Sequence, residues 1–342
     1  MTPQYLFAST AVALVTVFAG CRGGRGAGDT PVIRVGYFAN VTHAPAIVGL
    51  RQGYFAAELG TGVRLEPRAF NAGPEAVEAL FSDALDLTYI GPNPAINAFA
   101  RSGGEAIRII AGAASGGTAL VVQPSITSAA QLRGTRLATP QLGNTQDVAL
   151  RSWLRAQGLT TSLEGGGDVS IVPQPNAQTL ETFRAGQIQG AWVPEPWATR
   201  LVLEGRGTVL VDERSLWPDG RFVTTHLIVR TAFLRDHPDL VAAFLRAHVR
   251  AVAFVNAQPA EARTLVNAGI EAVTGRALPD SVITRAWGNL AFTVDPVAAS
   301  LRRSADAAVA EGLIRPAPLD GIYDLAPLNA ILRAAGRAPV AE

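Results

Sequence analysis

The residues best suited to bind a ligand in this chain lie where short apolar strands give way to helices. The segment Leu142-Gly-Asn-Thr-Gln-Asp147 is one such junction. Gly143 lets the backbone approach a ligand closely, and the first turn of the following helix offers unpaired N–H groups and a partial positive charge. We therefore predict that Asn144, Thr145 and Gln146 bind an anionic oxygen without a basic side chain. The alternative is that Asn144 or Thr145 only caps the helix.

Three junctions in the first half of the chain carry further candidates. They are Thr42 with His43, Gly91 with Asn93, and the run Ser115, Gly116 and Gly117. His43 is the one side chain among them that can carry positive charge near neutral pH, with a neutral, hydrogen-bonded ring as the alternative. The Asn93 amide is expected to face the ligand or to cap its helix. The run from Ser115 offers a hydroxyl donor and close backbone contact, or forms a plain turn.

The segment Ala191-Trp-Val-Pro-Glu-Pro-Trp197 supplies the aromatic and acidic candidates. Trp192 and Trp197 are expected to line a pocket with their ring faces. The Glu195 carboxylate disfavours a bare anion unless it pairs with an arginine or a ligand amine, so it would suit a zwitterion such as an amino-sulfonate. Alternatively, Glu195 complements the dipole of the helix that follows it. Thr224, on a later apolar strand, is a weaker candidate.

Composition excludes several classes of chemistry. All 29 basic residues are arginine, so the chain has no Walker-type phosphate loop, pyridoxal lysine or kinase lysine. Cys21 is the single cysteine, which leaves no disulfide and no cysteine metal site, and the four histidines form no His-x-x-x-His pair. The formal net charge of +1 argues against nucleic-acid binding. We expect no metal, no cofactor and no nucleic-acid partner.

The N-terminal residues are typical of an export signal followed by a tether. Residues 6–18 are largely apolar but too few to span a bilayer as a helix, and Ala19-Gly-Cys21 follows them. We predict a signal peptide over residues 1–20, lipid attachment at Cys21 and a flexible, glycine-rich tether over residues 21–30. The alternative is an ordinary cleaved signal with a chance cysteine. Lipidation implies an exported protein anchored at the cell envelope, on the periplasmic face or the outer cell surface.

Strands and helices alternate along the rest of the chain. Strands are predicted at residues 32–38, 63–70, 85–90, 135–138, 169–172, 188–193 and 208–211, with helices between them. This pattern predicts two α/β lobes, each a mostly parallel, doubly wound sheet whose ligands bind beyond the strand ends. Two apolar runs, 118–123 and 222–229, are expected to cross between the lobes as hinge strands. Helices are predicted to start near Pro238, Pro259, Pro279, Asp295 and Asp324.

Five motifs, in order, resemble the solute-binding proteins of nitrate, sulfonate and taurine-type ABC importers. They are Thr42-His-Ala-Pro-Ala46, Asp86-Leu-Thr-Tyr-Ile-Gly-Pro92, Gly112-Ala-Ala-Ser-Gly-Gly117, Ala138-Thr-Pro-Gln-Leu-Gly-Asn-Thr-Gln-Asp147 and Ala191-Trp-Val-Pro-Glu-Pro-Trp197. The resemblance implies a type II periplasmic binding protein fold, in which two lobes close on a ligand. Lobe 1 is expected over residues 31–121 and 223–342, and lobe 2 over residues 122–222.

The resemblance also implies a function. Such a protein is the substrate-binding component of an ABC importer, a monomer that captures a small anionic or zwitterionic solute of the sulfonate, taurine or nitrate class. It delivers the solute to a membrane permease and its ATPase. The alternatives are a ligand-sensing domain that partners a membrane signalling protein, and an enzyme on the same fold. An enzyme is disfavoured because the chain has no lysine and no Gly-x-Ser-x-Gly elbow.

Overall fold

The computed structural model describes Met1 and residues 31–342 of the chain. The predicted signal peptide, the lipidation site Cys21 and the tether over residues 21–30 lie outside the described residues. The fold below is therefore that of residues 31–342, which contain all the other predicted elements and site residues.

Eleven strands form two sheets in this part of the chain. The first sheet contains β1 (Val32–Phe38), β2 (Arg64–Phe70), β3 (Leu87–Ile90), β4 (Ile107–Gly116), β10 (Val223–Arg230) and β11 (Leu290–Phe292), in the order β11-β4-β10-β3-β1-β2. The second contains β5 (Thr118–Val122), β6 (Arg136–Thr139), β7 (Ser170–Pro173), β8 (Gly190–Pro194) and β9 (Thr208–Asp212), in the order β7-β6-β8-β5-β9. Each sheet is the centre of one lobe.

Within residues 31–342, thirteen α-helices cover the sheets. They are α1 (Ala44–Arg51), α2 (Tyr54–Leu59), α3 (Gly73–Phe81), α4 (Pro92–Arg101), α5 (Thr145–Ala156), α6 (Asn176–Arg184), α7 (Trp197–Leu203), α8 (Thr231–Asp236), α9 (Pro238–Ala257), α10 (Pro259–Thr274), α11 (Asp280–Gly288), α12 (Ala298–Ala310) and α13 (Ala326–Ala334). The five helix starts predicted for the C-terminal part correspond to α9 to α13. Proline in the first turn fixes the starts of α9, α10 and α13, since a proline needs no N–H partner there.

Both sheets are mixed. The strand–helix units give parallel pairs, β1 with β2 and β3, and β6 with β7 and β8. The strands that connect the lobes pair antiparallel, β10 with β3 and β4, and β5 with β8 and β9. The structure thus has the two α/β lobes that the sequence predicts, but only about half of each sheet is parallel because the connecting strands enter from the other direction.

The chain leaves the first sheet at Gly116 and Gly117. Both have positive φ, 77° and 72°, in the left-handed region that favours glycine. The run that starts at Thr118 is expected to cross between the lobes, but β5 pairs on both sides within the second sheet. The two glycines therefore form the crossing themselves. The exact limits of the lobes, placed by sequence at residues 121 and 222, stay a prediction.

Apolar cores cover both faces of each sheet, because successive strand residues point to opposite sides. In the first sheet, Tyr89 and Leu227 pack with α1 and α9, while Ile90 and Ile228 face α3, α4 and α12. In the second, α5 covers one face and α6 and α7 the other. The helix Pro238–Ala257 is long and apolar enough to cross a membrane, but half of that stretch is buried inside the protein. It is a core helix of the first lobe.

Candidate ligand-binding site

A small cavity lies between the lobes, where strands of both sheets end. We call it the inner cavity, and its volume is about 30 Å³. It brings together seven of the predicted site residues, namely Thr42, His43, Gly91, Asn144, Thr145, Gln146 and Thr224. The first lobe and the second lobe both contribute, so the cavity is complete only when the lobes are together.

The starts of five helices surround the inner cavity. Those of α1, α3 and α4 belong to the first lobe, and those of α5 and α6 to the second. Each start carries partial positive charge, because the first N–H groups have no partner within the helix. Prolines in the first turn remove one of these donors in α1 and α3 and two in α4, whereas α5 and α6 have no such proline. Backbone donors therefore remain at helix starts of both lobes.

The first turn of α5 is capped by its own side chains. Asn144 is the N-cap, and its Oδ1 accepts a hydrogen bond from the Asp147 N–H at 2.9 Å. Its Nδ2 donates to Gln146 Oε1 at 3.0 Å. The capping alternative for Asn144 is confirmed, and the same cap places Thr145 and Gln146 at the cavity. Gly143 does not line the cavity; with φ at 73° it forms the turn, and its N–H donates to Asp147 Oδ2.

The two lobes touch at Gly91 and Thr145. A Cβ atom added to Gly91 would lie only 2.4 Å from Thr145 Oγ1. Because Gly91 has φ at −71°, its backbone conformation suits any residue, and the close approach alone requires glycine. The Thr145 hydroxyl is buried and has no hydrogen-bond partner among the described residues. It is free to bind a ligand in the cavity.

His43 is a neutral group in this site. Its ring is buried against Phe38, whose backbone N–H donates to Nδ1 at 3.2 Å. Because Nδ1 accepts, the proton of the neutral ring is on Nε2, which is then a donor. Burial lowers the pKa of His43 to about 3. In the ligand-free structure His43 therefore corresponds to the neutral, hydrogen-bonded alternative.

No formally charged side chain lines the inner cavity in the part of the chain that the structure describes. Its polar groups are hydroxyls, amides and the neutral His43. Besides Thr145 Oγ1, the side-chain oxygens of Thr225 and Asn176 are buried there without a protein partner within residues 31–342. The same residues contain no group of three His, Cys, Asp or Glu placed to hold a metal ion. The site is therefore suited to a small anion held by helix starts and neutral donors.

A larger space, the outer chamber, adjoins the inner cavity. Its volume is about 480 Å³, and Asn40, Asn71 and Asn176 line both spaces. Its wall contains both apolar and charged residues. The apolar ones are chiefly Phe70, Trp197, Ile270, Val273 and Leu278, and the charged ones are Glu75, Arg200, Glu204 and Arg276. A ligand with its anionic end in the inner cavity therefore has room to extend past the three asparagines.

Trp197 joins the lobes at the outer chamber. Its Nε1–H donates to Asn40 Oδ1 at 2.9 Å, from the second lobe to the first. The Arg200 guanidinium lies over its ring, 4.6 Å from the ring centroid. Trp197 thus lines a pocket, as predicted, but the pocket is the outer chamber and the indole N–H is already used in closure.

The sequence matches the model of the NMT1-like family over residues 26–270, well over half of the chain. The chain belongs to the NMT1-like family. A relative of this NMT1-like chain is the taurine-binding periplasmic protein of Escherichia coli (strain K12). The two are 28% identical over 208 residues, a match that spans 60% of this chain and 62% of that protein.

Two solved structures resemble this NMT1-like chain. The alkanesulfonate-binding protein SsuA from Xanthomonas axonopodis pv. citri, bound to MOPS, has a TM-score of 0.70 at 20% identity, covering 85% of this chain and 96% of that one. The periplasmic nitrate-binding protein NrtA from Synechocystis PCC 6803 has a TM-score of 0.71 at 16% identity, covering 90% and 89%. At these identities the likeness concerns the fold, and it confirms the predicted two-lobed periplasmic binding protein class.

Four predicted first-lobe residues of this NMT1-like protein lie away from the inner cavity. Asn93 donates from Nδ2 to the Ser304 carbonyl at 3.0 Å, which ties α4 to α12. Ser115 lies within β4, and Gly116 and Gly117 form the crossing to the second sheet. Thr224 links this crossing to the cavity, because its Oγ1 donates to the Gly116 carbonyl at 2.5 Å.

Two predicted second-lobe residues also lie elsewhere. Trp192 is fully buried in the core of the second lobe, where its Nε1–H donates to Glu213 at 2.7 Å. The Glu195 carboxylate accepts from the N–H and the hydroxyl of Thr199 in the first turn of α7. It also accepts from Asn289 Nδ2 of the first lobe at 2.6 Å. Glu195 thus lies at the start of α7, as the alternative expects, and it does not line the inner cavity.

Four polar residues of the inner cavity are absent from the sequence prediction: Asn40, Asn71, Asn176 and Thr225. Three of them follow a strand or open a helix, which is the rule that identified the others. Asn71 ends β2 just before α3, and Asn176 is the first residue of α6. Applying the strand-end rule to every unit, and not only to the recognisable motifs, would have identified both.

Proposed function

We propose that this protein is the substrate-binding component of an ABC importer. It captures a small anionic or zwitterionic solute of the sulfonate, taurine or nitrate class between its lobes, and delivers it to a membrane permease and its ATPase. The observation that carries this proposal is the uncharged inner cavity surrounded by five helix starts. Such a site stabilises an anionic oxygen by backbone dipoles and N–H groups.

The outer chamber favours a solute that is larger than a bare inorganic anion. The inner cavity has room for little more than one anionic head group, whereas the chamber beside it is many times larger. Phe70 and Trp197 offer apolar surface to an organic part. Glu204 is paired with Arg200 at 2.8 Å, but Glu75 has no ion-pair partner within residues 31–342. Glu75 is therefore available to a ligand ammonium group, as a zwitterion such as taurine would need.

Capture works by closure of the lobes. In addition to the Trp197–Asn40 hydrogen bond, Arg155 of α5 lies 2.9 Å from Glu311 of the first lobe. A ligand that contacts both lobes adds free energy to the closed state alone, so it shifts the population from open to closed. The permease would then recognise the closed form.

We further propose that the protein is exported, attached to the envelope through a lipid on Cys21 and active as a monomer. Residues 21–30 would then connect the lipid to the ligand-binding lobes and keep these lobes near the permease.

The proposed function predicts thermal stabilisation by small anions. The purified protein is titrated with nitrate, taurine, ethanesulfonate and benzenesulfonate, and its melting temperature is followed. A ligand that binds only the folded state stabilises it by about 2.7 kcal/mol at 100 times its Kd. Sodium chloride at equal ionic strength is the control. If no member of the panel raises the melting temperature above the chloride control, the proposed function is wrong.

Affinity for the anion is expected to be independent of pH near neutrality. With its pKa lowered to about 3, His43 stays neutral, and no other titratable residue lines the described inner cavity. A histidine of ordinary pKa would gain charge as the pH falls, so anion affinity would rise between about pH 8 and pH 6. Calorimetric titration with ethanesulfonate across this pH range distinguishes a neutral His43 from a histidine of ordinary pKa. A clear gain in affinity at the lower pH would show that His43 is protonated in the complex.

A further inference from the structure

A buried ion pair lies directly beneath the ligand-binding turn. Asp147 and Arg151 are one turn apart on α5, with Arg151 Nε 3.1 Å from Asp147 Oδ2. Their side chains are 0% and 1% exposed, respectively. Neither residue lines the inner cavity. A buried pair of this kind is weak evidence for stability alone, because desolvation offsets much of its attraction. Its position beneath the ligand-binding turn indicates a role in that turn.

Asp147 fixes the turn that precedes α5. Its Oδ2 accepts from the Gly143 N–H at 3.0 Å, and its own N–H donates to Asn144 Oδ1 at 2.9 Å. Its Oδ1 accepts from the Thr139 hydroxyl at 2.9 Å, which joins the turn to the end of β6. The carboxylate therefore holds Gly143, the residue before the N-cap, while the Asp147 N–H holds the N-cap Asn144 itself. Together these bonds order the turn that leads into Thr145.

A carboxylate so close to an anion site carries an electrostatic cost. Asp147 sits in the first turn of α5, where its negative charge opposes the partial positive charge of the helix start. Arg151 cancels that charge from the far side of the carboxylate. Arg151 is held by a hydrogen bond from Nη1 to the Ser162 carbonyl at 2.9 Å. The nearby Glu311 already has an ion-pair partner in Arg155.

We propose that Asp147 and Arg151 are positioning residues of the ligand site: Asp147 orders the Gly143–Thr145 turn, and Arg151 neutralises the carboxylate so that the turn still attracts an anion. This inference rests on the proposed function for its electrostatic half. The positioning half follows from the hydrogen bonds of Asp147 and applies to the ligand-free protein as well.

Two single variants with opposite charge changes test the electrostatic half. Arg151→Met leaves the Asp147 carboxylate unneutralised, and Asp147→Asn leaves the Arg151 cation unpaired. Both variants are expected to lower thermal stability, because each removes one partner of a buried pair. Arg151→Met is expected to weaken the binding of nitrate, taurine and ethanesulfonate by about threefold to tenfold. Asp147→Asn gains a positive charge but also loosens the turn, so it is expected to bind these anions more tightly than Arg151→Met does.

The double variant, D147N/R151M, restores neutrality and is expected to bind more tightly than Arg151→Met and more weakly than Asp147→Asn. Thr139→Val is the matched control, because it removes a hydrogen bond to Asp147 without a change of charge. If both single variants weaken binding alike, the pair is only structural and the electrostatic half is wrong. If Arg151→Met does not fold, the affinities of Asp147→Asn and the double variant are compared instead, because these two variants differ only at residue 151, which is charged in the first and neutral in the second.

Hydrogen exchange of the Gly143 amide in ligand-free protein tests the positioning half separately. Asp147→Asn is expected to speed this exchange, because an amide oxygen cannot accept all the bonds that the carboxylate accepts. Unchanged exchange would overturn the positioning role. If wild-type protein binds no anion, the proposed function and the electrostatic half both fail, and the exchange result still decides the positioning half.

Discussion

Replacing Gly91 by valine is expected to weaken ligand binding roughly 10- to 100-fold while the ligand-free protein stays folded. The first added atom already meets Thr145 Oγ1 at 2.4 Å, and valine adds two methyl groups beyond it. Overpacking of this kind costs about 1–3 kcal/mol. Because Gly91 and Thr145 belong to different lobes, the open state avoids the contact. The cost therefore falls on the closed state alone.

Calorimetry measures the affinity of the Gly91→Val variant, and small-angle scattering with and without ligand measures closure. Gly62→Val is the matched control, since a Cβ at Gly62 meets nothing within 4 Å and its φ is not positive. A second variant, G91A/T145A, removes the contacting hydroxyl and is expected to close again. Wild-type affinity in Gly91→Val would mean that the ligand-bound lobes do not meet at these two residues.

Much of the fold follows from local sequence signals. The helix α3, Gly73–Phe81, lies between two predicted strands, as expected, and Pro74 fixes its first turn. The strand β11 is not predicted, because its three residues, Leu290–Phe292, are a strand only through their pairing with β4. The same reason accounts for the mixed sheets. Strand direction is set by which partner a connecting strand meets, and the alternation of strands and helices does not contain that information.

The strand-end rule selects turns whose residues line the inner cavity, namely those that contain Thr42, Gly91 and Thr145. The rule gives neither the direction nor the depth of a side chain. Asn93 is only two residues beyond Gly91, but a helix turns about 100° per residue, so its amide faces α12. Trp192 lies two residues before Pro194 and on the same side of β8, but it is further from the strand end and is buried in the lobe core.

Contacts between the lobes could not be predicted at all. Trp197 and Asn40 are 157 residues apart in sequence, and neither residue type signals the other. Closure depends on such pairs, on the Gly91–Thr145 contact and on the Arg155–Glu311 ion pair. They depend on how two independently folded lobes meet, which is a property of the tertiary structure.

Removing the polar groups of the α5 start is the second change with a large expected effect. Replacing Asn144 and Thr145 by alanine is expected to weaken anion binding roughly 10- to 100-fold, since a hydrogen bond to a charged group contributes about 1.5–3 kcal/mol. The Thr145 hydroxyl has no partner within the described residues, so its loss affects a ligand more than the protein. Asn144 is also the N-cap, and its loss should cost about 1 kcal/mol of stability.

The effect on anion binding and the effect on helix capping are separated by variants that each keep one property of the original side chain. Thr145→Ser retains the hydroxyl and is expected to bind within a few-fold of wild type, while Thr145→Val keeps the shape and loses the hydroxyl. Asn144→Ser keeps a capping oxygen, so it should preserve stability. Affinity is measured by calorimetry and stability by thermal unfolding without ligand. Equal affinity in the double alanine variant and wild type would show that the anion is not held at the start of α5. Loss of affinity in Thr145→Val but not in Thr145→Ser would instead identify the hydroxyl itself as a ligand-binding group.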